Sequence, residues 1–318
     1  MSVWLLTDAA MDAHAAPGHP ERPERRAAAT AGVRDAAGAA LLEPAVQAID
    51  EVTLAAVHDP TYLDLLGSVE TRGGGWLDPD TFVVPGTVGA ARLAAGASLQ
   101  GAIAVAGGET AVAFAAIRPP GHHASIGRGR GFCLLNNVAI AVAGLRSRGL
   151  ARRIAIIDWD VHHGDGTQAI FEADADLCYA STHQSPFYPG TGERDETGIG
   201  EAVGTKHNRP LPAGSDDTAF VGAWRDDLLP AVEAFGPEAI LVSAGYDAHA
   251  ADPLAQLEVT AAGYGEVARL LGSVSARLGL AGVALTLEGG YDLDAERAST
   301  SATVSGILDG RRAATGKG

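Results

Sequence analysis

The fold of this chain is decided by the stretch Ile156-Ile157-Asp158-Trp159-Asp160-Val161-His162-His163-Gly164-Asp165-Gly166. The apolar run 154–157 predicts a buried strand, and three carboxylates and two imidazoles follow it within eight residues. Burying that much charge would cost several kcal/mol per group unless a cation or a proton-transfer role compensates. The stretch therefore predicts a metal site where a strand ends.

The composition indicates a globular protein with a sizeable core. Of the 318 residues, 47% are apolar and 19% are charged, which argues against global disorder. The formal charge of −16 argues against direct binding to nucleic acid or to an anionic membrane. Because no linker, internal repeat or shift in composition divides the sequence, we expect a single domain over residues 1–318.

The cysteines and the N-terminus indicate a cytoplasmic location. Cys133 and Cys178 each lie beside apolar residues, which predicts buried thiols in a reducing compartment. The first residues contain neither a basic region nor a long apolar core. The longest apolar runs, such as 111–117, look too short to cross a bilayer, so we expect no membrane association.

Short apolar runs alternate with helical patterns from about residue 100 onward. The predicted strands are 111–117, 154–157, 177–180, 239–243 and 283–287, and the predicted helices lie near 137–149, 217–235, 260–279 and 292–308. This alternation predicts a mostly parallel sheet covered by helices. The first hundred residues look less regular.

Polar residues follow each predicted strand. These segments are residues 118–123, 158–162, 181–183, 245–247 and 288–291. Because open α/β sheets place their sites beyond the carboxyl ends of the strands, we expect the five segments to meet at one edge of the sheet.

Asp160, His162 and Asp247 are the candidate metal ligands. In an extended segment, Asp160 and His162 would point to the same side and reach one ion. A catalytic zinc takes three protein ligands and keeps a position for water, and Asp247 is the third candidate. Taken singly, Asp247 is more simply explained as a turn or helix-capping residue.

His122 and His123 are candidates for proton transfer. Asp158 and Asp165 flank the metal pair, and each could accept a hydrogen bond from one imidazole, as in a general acid–base pair. Tyr291 follows two glycines, which let the backbone approach a cleft, and its phenol could stabilise an oxyanion. Considered alone, each of these features would be a solvated loop or a surface tyrosine.

Five motifs together resemble the series found in the zinc-dependent histone deacetylase family, nearest to its class II and bacterial histone deacetylase-like amidohydrolase branch. They are Arg118-Pro119-Pro120-Gly121-His122-His123, Gly131-Phe132-Cys133-Leu134-Leu135-Asn136-Asn137, Asp158 to Gly166, Ser243-Ala244-Gly245-Tyr246-Asp247 and Leu287-Glu288-Gly289-Gly290-Tyr291. The segments 19–26 and 57–62 resemble the first active-site loop and an early helix. The resemblance covers nearly the whole chain and implies a single-domain, three-layer α/β/α arginase/deacetylase fold.

The resemblance implies a role for each candidate. Zinc would be bound by Asp160, His162 and Asp247. His123, paired with Asp165, would act as the general base and then as the general acid, and His122, paired with Asp158, would be its electrostatic partner. Tyr291 would donate a hydrogen bond to the oxyanion. Structural potassium would contact Asp158, Asp160, His162 and Ser181. Zinc and ferrous iron accept the same ligand types, so the metal stays open between the two.

The substrate channel is also implied by the resemblance. Gly131, Phe132 and Tyr188 would line it, with Tyr188 where a phenylalanine is more usual. Leu254 stands where polyamine-selective members carry a glutamate, which argues against acetylpolyamines. The expected substrate is an acylated lysine in a protein or a small acylated amine.

Several alternatives remain open from the sequence. A ureohydrolase would need two manganese ions bridged by carboxylates, and a non-catalytic acyl binder would predict a damaged ligand set. Oligomeric state is undetermined, as are the roles of His163, His183 and His249. Of these, His163 and His183 are most simply core histidines with satisfied hydrogen bonds.

Overall fold

The computed structural model describes residues 1–316 and has an eight-stranded, wholly parallel sheet at its centre. The strands are β1 (Val3–Leu6), β2 (Leu41–Leu42), β3 (Gly75–Trp76), β4 (Phe82–Val83), β5 (Val112–Ala115), β6 (Ile154–Asp158), β7 (Leu177–Gln184), β8 (Lys206–Leu211), β9 (Ala239–Ala244) and β10 (Val283–Leu287). β3 and β4 form a separate antiparallel hairpin, and the others are ordered β2-β1-β5-β10-β9-β6-β7-β8. The predicted mostly parallel sheet is confirmed.

Helices cover both faces of this sheet. They are α1 (Pro23–Ala37), α2 (Glu51–Ala55), α3 (Pro60–Thr71), α4 (Thr87–Ala106), α5 (Asn137–Ser147), α6 (Asp165–Phe171), α7 (Asp217–Ala223), α8 (Leu229–Phe235), α9 (Ala261–Arg277) and α10 (Leu293–Thr315), with a π-helical turn over Trp224–Leu228. In one group α4 packs on α5. In another group α10 packs on both α1 and α9. Every residue of β5, β6, β7, β9 and β10 is buried, as strands between two helical layers require.

The first hundred residues are more regular than their sequence suggests. They contribute β1 to the sheet beside β5, together with the helices α1, α3 and α4. β8 was also missed because Lys206, Asn208 and Arg209 interrupt any apolar run at this edge of the sheet. The sequence of α4 shows no clear helical periodicity of apolar residues, because its many small residues, mostly alanine and glycine, are buried on more than one side of the helix.

The length of α4 also corrects the expectation about apolar runs. By length and composition it is the one helix within residues 1–316 that could cross a membrane. In the structure, 67% of its most apolar 18-residue window is buried, and it packs on β5, β10 and α5. That is the environment of a core helix.

His58 makes the stability of this fold sensitive to acid. It lies between α2 and α3, accepts a hydrogen bond from the Asn136 amide at Nε2, and faces the Ile126 carbonyl with Nδ1. Burial lowers the pKa of His58 to about 4 from 6.5. The unfolded chain therefore binds the proton more tightly, so this contribution to stability is complete above pH 6.5 and is lost as the pH falls towards 4.

We expect this single group to account for about 3 kcal/mol of lost stability across that range. Denaturant unfolding of the wild type and of His58→Gln at pH 7 and pH 4.5 measures it. Glutamine retains an acceptor near the position of Nε2 and does not titrate, so the variant should lose less stability on acidification. Equal losses in the two proteins would contradict the assignment.

Candidate active site

The loops that follow β5, β6, β9 and β10 meet around a pocket of about 270 Å³. Its lining includes His122, His123, Phe132, Tyr188, Leu254 and Tyr291. These strands are neighbours in the sheet, so their carboxyl ends lie side by side, as the sequence predicts for four of its five segments. The fifth segment, 181–183, belongs to β7 itself, which continues to Gln184.

Asp160, His162 and Asp247 form a cluster of metal-binding type. One ligand atom from each lies within 4.8 Å of the others. Nδ1 of His162 is 3.0 Å from Oδ1 of Asp160 and 3.1 Å from Oδ2 of Asp247. Asp160 and Asp247 are 1% and 0% exposed, so their charges have little water to stabilise them.

The local geometry of the pair differs from the expected strand alternation. β6 ends at Asp158, and the chain bends through residues 160–162 instead of staying extended. The Asp160 carboxylate accepts a hydrogen bond at 2.9 Å from the amide of His162. A local turn therefore brings the two side chains together.

The electrostatics of the three side chains fit a bound cation. Burial opposes ionisation of Asp160, but the His122 and His162 rings hold its pKa below the ordinary value. Burial and the charge of Asp160 raise the pKa of Asp247. Oδ2 of Asp247 is buried and accepts no well-directed hydrogen bond within the described residues. Two adjacent buried carboxylates and one imidazole are a donor set that a divalent cation would satisfy.

Two glycines make room for these carboxylates. A Cβ atom on Gly245 would collide with the Asp160 carboxylate, and one on Gly289 would collide with both Asp160 and Asp247. The Gly289 amide also donates a hydrogen bond of 2.8 Å to Oδ2 of Asp160. The glycines of these two motifs are therefore a steric requirement of the carboxylate cluster.

His122 and His123 each pair with one aspartate. Nδ1 of His122 lies 3.1 Å from Asp158, and Nδ1 of His123 lies 2.6 Å from Asp165. Burial opposes protonation of His122, but Asp160 and Asp158 hold its pKa well above the ordinary value. Burial and the neighbouring His122 lower the pKa of His123 to about 3. The two rings are therefore suited to different roles, a cation and a free base.

Glu288 ties the loops after β5 and β10 together. Its carboxylate accepts hydrogen bonds from the amides of Gly121 (2.6 Å) and His122 (3.1 Å) and from the hydroxyl of Ser243 (3.1 Å). With His122 and Cys133 it forms a second buried group of donor atoms. Because the carboxylate is already engaged and burial raises the pKa of the Cys133 thiol, this group is a structural network rather than a metal site.

Tyr291 is held by its backbone and its ring. Its amide donates a 2.7 Å hydrogen bond to Asp252, and its ring lies edge-on to Phe132 at 5.8 Å. The buried Arg25 guanidinium lies 4.8 Å from the ring centroid and donates to the carbonyls of Glu288 and Gly290. None of these contacts uses the phenol hydroxyl, which stays available at the pocket.

Gly131, Phe132, Tyr188 and Leu254 all line the same pocket. Gly131 and Phe132 have φ angles of 55° and 67°, so Phe132 occupies the left-handed region that non-glycine residues rarely adopt. A strained backbone of this kind persists only where the surrounding structure enforces it. In this conformation the Phe132 ring lies against Tyr291. The sequence-predicted wall residues therefore lie together.

The other histidines near the site are structural. His163 contacts Thr191 at 2.8 Å and Gln168 at 3.0 Å. His183 contacts the Ser181 hydroxyl and the Gly192 carbonyl, both at 2.9 Å. Both imidazoles are buried with a partner at each nitrogen. His249 lies partly exposed, and its Nδ1 accepts a hydrogen bond from the amide of Ala251.

Sequence reasoning gave no role to several residues that support the site. They are Arg25 and Asp252, which contact Tyr291 or its backbone, Glu288, which binds the loop after β5, and Arg130, which contacts Tyr188. Glu288 follows an apolar strand directly and Asp252 precedes a proline, so both had a local signal. Arg25 lies in the segment 19–26, which resembles an active-site loop, but the local sequence does not indicate the partners of Arg25 or Arg130, because those partners are distant in sequence.

The comparisons with known proteins agree with this geometry. The profile of the histone deacetylase domain matches residues 19–307. A probable deacetylase of Archaeoglobus fulgidus is 42% identical over 283 residues, covering 87% of this chain and 78% of that protein. The protein therefore has the fold and sequence of a deacetylase-type hydrolase. The chain belongs to the histone deacetylase family.

Two solved structures confirm the arginase/deacetylase fold. The HDA15 HD domain superposes with a TM-score of 0.89 at 34% identity, covering 96% of this chain and 89% of that chain. An acetylpolyamine aminohydrolase from Burkholderia pseudomallei superposes with a TM-score of 0.87 at 31% identity, covering 96% and 98%. The family is generally metal-dependent, which agrees with the cluster of Asp160, His162 and Asp247.

Proposed function

We propose that this protein is a zinc-dependent amidohydrolase that removes acetyl or other acyl groups from lysine side chains or related acylated amines. The observation that carries the proposal is the meeting of the three metal-type ligands, the His123–Asp165 pair and Tyr291 at one pocket. Asp160, His162 and Asp247 would hold the ion, which when bound would polarise water and the amide oxygen.

The residues of this chain would move the proton. His123, a free imidazole oriented by Asp165, takes a proton from the attacking water while the water oxygen bonds to the amide carbon. His122, whose Nδ1 is paired with Asp158, would stabilise the negative charge that develops. Tyr291 donates to the oxygen of the tetrahedral intermediate. The C–N bond then breaks as His123 returns the proton to the leaving amine.

The resemblance to the histone deacetylase family also supports a structural potassium ion near Asp158, Asp160, His162 and Ser181. Asp158 on β6 lies beside Ser181 on β7 in the sheet register, and both are buried. We also propose that the protein acts in the cytoplasm.

An acetylated polyamine is the second candidate substrate. Asp80 lines the pocket together with Leu254, and a carboxylate there could attract a second ammonium group. Leu254 is apolar and cannot, so the rim does not match a polyamine throughout. The structural similarity to an acetylpolyamine aminohydrolase adds weight to this alternative.

The test is turnover of an acyl-lysine peptide series beside N-acetylputrescine and free Nε-acetyl-lysine, on protein loaded with zinc and on protein stripped by a chelator. We expect acyl-lysine hydrolysis that needs the metal and exceeds that of acetylputrescine. Preference for acetylputrescine would favour the second candidate. Stoichiometric zinc without hydrolysis of any amide would contradict the proposal and favour a non-catalytic acyl binder.

A further inference from the structure

Arg130 connects the two walls of the pocket. Its Nε donates a 3.0 Å hydrogen bond to the hydroxyl of Tyr188, and its guanidinium lies 5.2 Å from the centroid of the same ring. A second nitrogen forms a 3.1 Å ion pair with Asp165, the partner of His123. One guanidinium thus contacts both a wall residue and the aspartate that orients the proposed base.

The backbone of Arg130 supports the opposite wall. Arg130 and Cys133 exchange two backbone hydrogen bonds of 3.0 and 2.9 Å, closing a turn whose central residues are Gly131 and Phe132. The Phe132 amide also donates a 3.0 Å hydrogen bond to the hydroxyl of Thr81. The strained conformation of Phe132 therefore depends on this closed turn, which begins at Arg130.

Tyr188 lies directly against this turn. A Cβ atom on Gly131 would be 3.0 Å from the Tyr188 hydroxyl and 2.6 Å from the His123 ring, so the wall has no slack there. The Tyr188 ring is also edge-on to His123 at 5.1 Å. Tyr188 is 39% exposed, so part of its side chain faces solvent, and the hydrogen bond from Arg130 holds its hydroxyl end.

An ordinary surface ion pair would not have these properties. Exposed pairs contribute little because both side chains are solvated and mobile. Here the Arg130 and Asp165 side chains are only 25% and 15% exposed, and the planar guanidinium contacts two partners and lies over a ring. The geometry is that of a clamp.

We propose that Arg130 is a specificity-determining residue, which holds Tyr188 at a fixed separation from Phe132 and so restricts the pocket to narrow, unbranched acyl groups. This inference rests on the proposed deacylase function and deepens it. Arg130 acts through Tyr188 on the width of the passage and through Asp165 on the orientation of His123. The first action governs which acyl group enters, and the second governs the rate for all of them.

The test compares kcat and KM for acetyl-lysine and benzoyl-lysine peptides in the wild type and in Arg130→Met, Tyr188→Phe and the double variant. The preference for acetyl in kcat/KM should fall about tenfold in Arg130→Met, which corresponds to about 1.4 kcal/mol. Tyr188→Phe should reproduce this relaxed selectivity, and the double variant should add nothing further. Only the variants without Arg130 should also lose kcat for acetyl-lysine.

Arg128→Met is the matched control. Arg128 is exposed on the same loop, and its side chain makes no hydrogen bond or ion pair within residues 1–316. The substitution therefore removes the same charge as Arg130→Met and should leave the selectivity unchanged. Arg130→Lys should be intermediate, since an ammonium group cannot reproduce the planar contacts. A crystal structure of Arg130→Met should show the Tyr188 ring displaced, a result that does not depend on activity.

The outcomes separate the two proposals. A wild type that hydrolyses acyl-lysine, with an Arg130→Met variant of unchanged selectivity and an undisplaced Tyr188, overturns the inference alone. A wild type without turnover of any amide overturns the proposed function as well. If Arg128→Met lost as much selectivity as Arg130→Met, only the local charge would matter. That result would also overturn the proposal that Arg130 fixes the position of Tyr188.

Discussion

Replacing Gly289 by alanine is expected to reduce metal affinity and kcat/KM by at least about a hundredfold, the upper range for changes to groups that orient metal ligands. The added Cβ would lie 2.6 Å from Oδ2 of Asp160 and closer still to the Asp247 carboxylate. Both carboxylates are buried, and Gly289 and Val161 donate backbone hydrogen bonds to them, so neither can move away cheaply.

Metal content after equilibrium dialysis against zinc measures this effect directly, and thermal unfolding shows whether the variant is folded. Gly67→Ala is the matched control, because Gly67 lies in α3 with nothing within 4 Å of an added Cβ. That change should leave metal content intact and stabilise the fold by about 0.4–1 kcal/mol. Full zinc occupancy in Gly289→Ala would contradict the assignment of the carboxylate cluster as the metal site.

Tyr291→Phe is expected to lower kcat about 10²- to 10³-fold, the range for removal of one oxyanion donor. The ring should stay in place because Asp252 binds its backbone amide, and Arg25 and Phe132 contact its faces and edge. Since only the hydroxyl is lost, substrate binding and zinc content should change little. The effect should therefore appear in kcat and not in KM.

Steady-state kinetics on zinc-loaded protein measures that change. Tyr264→Phe removes another buried phenol hydroxyl, one without a hydrogen-bond partner in residues 1–316, and should leave kcat unchanged. A Tyr291→Phe variant with nearly full activity would mean that the oxyanion is stabilised by other groups. It would not by itself contradict the metal site, which the glycine variant tests separately.

Much of the sheet could be predicted from the sequence because its central strands are buried on both faces. Residues 154–157 and 239–242 are uninterrupted apolar runs, and 283–287 is apolar except for Thr286. Short runs of this kind that lead directly into polar or glycine-rich segments favour buried strands. The edge strand β8 carries no comparable pattern, and β1 is an apolar run, Val3–Leu6, that lies outside the predicted strands. Their pairing depends on neighbours that are distant in sequence, which a local pattern does not contain.

The candidate residues of the site were predictable for a related reason. Charged groups such as Asp158 and Asp160 directly after an apolar strand are anomalous unless they have a role, and the motifs around them resemble one family. Whether these residues meet could not be read from the motifs, since three α-helices and three strands separate Asp160 from Asp247 in the sequence. The structure places them beside one ligand nitrogen, His162 Nδ1.

The sequence by itself determined the residue types at the site and the parallel sheet, because burial of apolar runs and the cost of buried charge are local properties. Only the tertiary structure decided which groups support the chemistry. Arg25 reaches Tyr291 across 266 positions, and Arg130 reaches Tyr188 across 58. A long arginine side chain can contact any acceptor or ring within its reach, whatever the sequence separation. The packed fold alone therefore specifies those contacts.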